Sequence, residues 1–152
     1  MSEFVLSNIL GTNQEEDFEN FDLKEIQEIL LELRNTEPFD LAHGELMQQR
    51  ALRGADVCSE FIGKLQKTIS YLETKASSAK NRAALDYKGK ENEKVTMDMR
   101  KFVAESDSAV EDYLLKLAKA KGAKALLDKK YELLLKQHHF VKEICIGFKK
   151  SF

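Results

Sequence analysis

The stretch "CSEFIGKLQKTISYLETKASSAKNRA", residues 58–83, decides the fold. Cys58, Ile62, Leu65, Ile69, Leu72, Ala76, Ala79 and Ala83 alternate steps of four and three. That spacing keeps one apolar seam on one side of a helix and asks for a partner helix along it. The seam ends in three alanines, so a partner backbone can come close there. Gly54 and Gly63 carry a mild helix-propensity cost and do not interrupt the pattern.

Working backward, this helix is expected to start near Phe39–Gly44, giving a span of about 44–84. A shorter helix precedes it, over about 22–34. Asp22 and Glu25 have capping-box spacing, and Leu23, Ile26, Ile29, Leu30 and Leu33 form an apolar face. Asn35, Thr36 and Pro38 end it. Residues 1–20 hold "NQEEDFEN" and show no helical stripe, which predicts a solvated, flexible acidic arm ahead of a single helical domain over 21–152.

Working forward, Gly89 and the polar "KENEK" break the pattern and make an elbow over 86–96. Thr96 reads as an N-cap, with Asp98 in the first turn. A third helix is expected over about 97–149. Its seam is Tyr113, Leu117, Ala120, Lys124, Leu127, Tyr131, Leu134, His138, Val141, Cys145 and Phe148, with Gly122 as a candidate kink. At 1.5 Å per residue the two long helices are about 60 and 80 Å. A short elbow folds them back as an antiparallel hairpin. The fold class is therefore all-α, a short N-terminal helix plus a long antiparallel hairpin. Leucines beside the last seam widen the apolar stripe, which predicts self-association into an oligomeric ring. Leu127, Tyr131, Leu134, Val141 and Phe148 are the expected assembly residues.

Composition supports this class. A single proline and seven glycines in 152 residues are too few turn residues for a β-sandwich or barrel. No apolar run approaches the roughly 18 residues of a membrane span, and no basic leader precedes an apolar run. Cys58 and Cys145 lack metal or redox spacing and read as buried reduced thiols, so a cytoplasmic protein is expected. Charge is polarised: residues 1–60 hold 14 acids against 4 Lys/Arg, and residues 61–152 hold 12 against 20. The overall charge of −2 conceals a basic body.

No Gly-rich phosphate loop or nucleophile elbow occurs. His138 and His139 are adjacent and cannot both face one metal. His138 falls on the seam as a packed histidine, and His43 falls in a turn. The expectation is a non-enzyme without cofactor or metal. The elbow region is chemically distinctive, with Lys80, Arg82, Lys88, Lys90 and Lys94 around Tyr87, and Arg100 and Lys101 continuing the patch. Cations follow a phosphate backbone and a ring stacks on an unpaired base, so these eight residues are the candidate nucleic-acid contacts. Repetition around an oligomer would add the weak contacts as avidity.

The segment "RAALDYKGKENEKVTMDMRKFVAESDSAVEDYLLKLAKAKGAKALL" resembles the UvsY recombination mediators of T4-like bacteriophages. The likeness rests on a basic helix end running into Leu85-Asp86-Tyr87, a Gly-containing polar loop, the helix start Thr96-Met97-Asp98 and the "AESDSAV" stretch. It is sharp over residues 80–110 and extends in layout over 22–145. The resemblance implies rings of six or seven subunits that bind single-stranded DNA, in the cytoplasm of a bacterial host. It implies contacts with a phage single-strand-binding protein and a RecA-like recombinase, which the mediator helps load without hydrolysing ATP. Of the family's two basic positions before the triplet, Arg82 matches one. The other is Ala84, a lost charge that Lys80, Lys88 and Lys90 would have to offset. The acidic N-terminus is a further departure. Two alternatives stay open: a phage scaffolding coiled coil with no nucleic-acid role, and an adaptor whose acidic arm docks on a basic partner.

Overall fold

A computed structural model describes residues 22–89 and 94–151 of the chain. Among them are four helices: α1 (Lys24–Asn35), α2 (Leu41–Asp86), α3 (Met97–Glu105) and α4 (Ser108–Lys150). The all-α hairpin is present, with α2 and α4 packed antiparallel along their lengths. At 46 and 43 residues, each is about 65–70 Å long.

The alternating seams form the interface. Cys58, Leu65, Ile69, Leu72 and Ala76 of α2 are buried, and so are Leu117, Ala120, Leu127, Leu134, Val141 and Cys145 of α4. The remaining seam residues, including Ile62, Tyr113, Tyr131, His138 and Phe148, are half-buried at its edges. α1 lies over the open end of the hairpin and buries Leu23, Ile26, Ile29 and Leu33. It runs antiparallel to α2, with Glu25 Oε1 3.1 Å from Arg53 Nε and Glu32 Oε2 3.1 Å from Arg50 Nη2. Both pairs are solvent-exposed and contribute under about 1 kcal/mol each.

Each helix start has a chemical cause. The Asp40 carboxylate accepts from His43 N–H (2.7 Å) to open α2. The Thr96 hydroxyl accepts from Met99 N–H (3.2 Å) to open α3. Asp22 Oδ1 accepts from Lys24 N–H (2.9 Å) just outside α1, in place of the expected capping box.

Three expectations are corrected. The single helix over 97–149 is two, because Asp107 Oδ1 accepts from both Ala109 and Val110 N–H (2.9 and 3.3 Å) and starts a new helix there. Gly122 lies inside unbroken α4. His43 belongs to the first turn of α2, stacked on Phe39 with ring centroids 4.1 Å apart. The expected flexibility of residues 1–20 concerns positions outside the described residues.

Gly54 is more than a tolerated cost. A Cβ there would sit 2.8 Å from Leu134 Cδ2 and 3.3 Å from Ile29 Cγ2. Its missing side chain is what lets α1, α2 and α4 converge at one level. Gly44 plays the same part near the open end, where a Cβ would collide with Cys145 Sγ.

Candidate nucleic-acid interface

The closed end of the hairpin is built from the last turns of α2, the elbow, and α3 folded back across them. α2 has no basic residue in its last turn, yet its final carbonyls carry the negative end of a 46-residue helix. Arg100 of α3 supplies the missing cation. Its Nη1 donates to Ala84 O (2.7 Å) and Leu85 O (3.2 Å). Two orphan carbonyls are thereby satisfied and α3 is fixed to the helix end. Gly89, at φ 73°, makes the left-handed turn that carries the chain away.

The expected site residues separate into groups around this cap. Arg100 is half-buried and committed to the carbonyls. Lys80 Nζ lies 3.4 Å from Glu105 Oε1, which offsets part of its charge. Tyr87 is the C-cap residue and is half-buried. Arg82, Lys88, Lys94 and Lys101 are exposed and make no ion pair with any described residue. Lys90 lies outside the described residues.

Beside this tip, between α2 and the start of α4, is a cleft of about 550 Å³. Lys75, Ser78 and Arg82 line one wall, with Asp86, Asp107 and Tyr113 around them. Asp107 is occupied by the two amides it caps. Lys75 Nζ lies 5.4 Å from the Tyr71 ring centroid and Lys116 Nζ 5.9 Å from that of Tyr113, so cations and rings already associate along this end.

The sequence reading missed three tip residues. Leu85, Met97 and Phe102 are 77%, 70% and 72% exposed and lie within a few residues in sequence of Arg82, Lys88, Lys94 and Lys101. Phe102 is the more accessible ring, whereas Tyr87 is partly enclosed. The available signal was the Ser106-Asp107-Ser108 cap, which makes α3 a short separate helix with Phe102 and Lys101 on consecutive positions.

The expected assembly residues also divide. Leu127, Leu134 and Val141 are 0% exposed and are spent on the interface with α2 inside one chain. Tyr131 and Phe148 are half-buried. The apolar residues that α4 presents outward are instead Leu126, Leu133 and Phe140, spaced by seven, with Leu114 and Leu115 nearer its start. Leu127, Leu134 and Val141 thus pack inside the hairpin, while Tyr131 and Phe148 stay partly accessible.

Cys58 and Cys145 are buried and unbonded. Burial pushes the Cys58 thiol up to about 11, against a smaller opposing pull from Lys130. His138 is held below its ordinary value by burial first, then by His139 and Lys142. Among the described residues no group of three His, Cys, Asp or Glu side chains is placed to hold a metal ion. No described helix is long and apolar enough to cross a membrane. Comparison with protein-family models, curated proteins and solved structures finds no match.

Proposed function

We propose that this protein binds single-stranded DNA through the closed end of its hairpin and serves, as a homo-oligomer, as a recombination mediator. In that role it helps load a RecA-like recombinase onto DNA covered by single-strand-binding protein, without catalysis of its own. The observation that carries the proposal is a set of exposures: Arg82, Lys88, Lys94 and Lys101 are exposed without an ion pair to any described residue, and the ring of Phe102, next in sequence to Lys101, is 72% exposed. Cations there meet a phosphate backbone while the ring offers a stacking platform. The resemblance of residues 80–110 to UvsY mediators supplies the biological role, the recombinase and binding-protein partners, and a ring of six or seven subunits.

Fluorescence anisotropy of a labelled single-stranded oligonucleotide, titrated across a salt series, tests the reading. Four phosphate contacts give a log–log salt slope near about −3. The combined Arg82→Ala, Lys88→Ala and Lys94→Ala variant is expected to flatten that slope and weaken binding. Phe102→Ala is expected to weaken it by about 1–3 kcal/mol with the slope unchanged. Absence of binding at low salt would sink the DNA reading and favour the scaffolding alternative. The outward Leu126, Leu133 and Phe140 stripe supports that alternative equally well.

A further inference from the structure

The seam between α2 and α4 is filled only as far as Ala76, which is buried. Beyond it, Ala79 and Ala83 are half-buried, and with Ala109 of α4 they line the cleft beside the tip. None of the three has a side chain long enough to close the space between the helices. The resulting opening, about 550 Å³, has the size of a small-ligand site.

The polar groups around this opening are mixed in sign. Lys75, Ser78, Arg82 and Asp86 follow steps of three, four and four along one side of α2. Asp107 and Tyr113 come from the start of α4. Arg82 and Asp86 are exposed and make no hydrogen bond or ion pair with a described residue. Lys75 Nζ lies over the Tyr71 ring and joins no carboxylate. Asp107 gives Oδ1 to two amides of α4, which leaves Oδ2 without a hydrogen bond to any described residue.

A site for a bare polyanion would hold cations alone, because each carboxylate in its wall repels a phosphate. Carboxylate oxygens accept hydrogen bonds and call for N–H donors. The ligand that answers both halves of this cleft carries phosphates together with a ring edged by amino groups. A nucleotide has that composition. Cytosine presents an amino group at N4, for which a carboxylate is a recurrent partner, whereas thymine places a carbonyl oxygen there. Tyr113 adds an aromatic wall, and rings of this kind stack on unpaired bases.

We infer that the cleft is a base-selective subsite for one unpaired nucleotide. Its phosphates meet Lys75 and Arg82, its base lies against Tyr113, and its amino group donates to Asp86 or to Asp107 Oδ2. Cytosine is favoured over thymine. The inference rests on the DNA reading above and adds a path and a preference to it. Arg82 belongs both to the exposed cations of the tip and to the cleft, so the strand passes it and continues along α2 toward Lys75, about 10 Å further on.

The test compares oligo(dC) with oligo(dT) of equal length, two strands alike in charge and ring size, by fluorescence anisotropy with the full chain. Oligo(dC) should bind several-fold tighter at every salt concentration. Asp86→Ala then separates base reading from charge. It is an exposed position at the end of α2, and its melting curve checks the fold. Charge alone predicts that losing this carboxylate tightens both strands equally. The subsite predicts that oligo(dC) loses several-fold relative to oligo(dT). Arg82→Ala should weaken both strands alike. In a second arm, oligo(dC) carrying 5-iodo-2′-deoxycytidine is irradiated with the protein and the cross-linked residues are mapped. Cross-links at Tyr113 are expected. Equal binding of the two strands, uniform tightening in Asp86→Ala, or cross-links confined to Tyr87 and Phe102 would each overturn the subsite and leave the DNA reading standing. Absence of binding to either strand at low salt would overturn both.

Discussion

At the scale of single residues, the glycines of this chain have opposite roles despite similar settings. Gly54 and Gly44 sit where helices touch, and Gly63 and Gly122 face open space. Gly63→Ala and Gly122→Ala should each stabilise the protein by up to about 1 kcal/mol, because alanine is the better helix former. Gly54→Val should destabilise it by about 1–3 kcal/mol, since the added methyls meet the fully buried Leu134. Urea unfolding of the three variants reads the signs directly, and a stabilising Gly54→Val would show that the three-helix contact is loose. Cys58 makes a second residue-level case. With its thiol pushed up to about 11 by burial, it should stay unreactive to a disulfide reagent at pH 8 and react only on unfolding. Rapid labelling of Cys58 in the native protein would contradict its place in the core. His138 gives the third. Its folded value lies below the ordinary 6.5, so the fold favours the neutral ring. Its stabilising contribution is present above 6.5 and is lost as pH falls below it, because the unfolded chain then takes up a proton that the folded chain resists. Thermal unfolding of wild type and His138→Gln from pH 7.5 downward should show the wild type losing more stability below 6.5. Parallel curves would remove His138 from the pH response.

At the scale of elements, two polar side chains outside the core set the shape of the hairpin tip. Asp107 starts α4 and Arg100 caps α2. Asp107→Ala should cost about 1 kcal/mol, the usual loss for an N-cap aspartate. Arg100→Ala should do something different, lowering hydrogen-exchange protection locally at the end of α2 and in α3. Unchanged exchange there would mean that α3 is held by other contacts. These two residues also mark the limit of what the sequence displays. The α2 and α4 seams were readable because an apolar period of 3.5 persists over many turns and one hydrophobic partner satisfies it. The break at Asp107 was not, because one cap interrupts the period for only two residues and the apolar spacing resumes almost in phase. Arg100 read as a free cation because its acceptors, Ala84 O and Leu85 O, are backbone atoms reached only after the chain folds back. Phe102 was passed over for the same reason, since its exposure depends on which side of α3 the Arg100 contact turns inward.

At the scale of the whole molecule, the decisive fact is that one chain already completes its heptad interface. A 65–70 Å hairpin whose seams are filled has no need of a partner for its core. If copies associate, as the proposed function requires, the apolar surface left for it on α4 includes the Leu126, Leu133 and Phe140 stripe. Spaced by seven, these residues span about 21 Å along the helix, enough for several turns of contact with a second copy. Polar substitution separates the two surfaces. Leu133→Glu with Phe140→Glu should lower the mass seen by light scattering while helicity and melting stay close to wild type, because both side chains face outward. Val141→Glu should do the reverse and collapse the melting transition, since a carboxylate at a fully buried position lacks a partner. An unchanged mass in the double variant would remove this stripe as the assembly surface. It would direct attention to Leu114 and Leu115 near the start of α4, where an oligomer would gather the basic tips close together and present their cations to one strand.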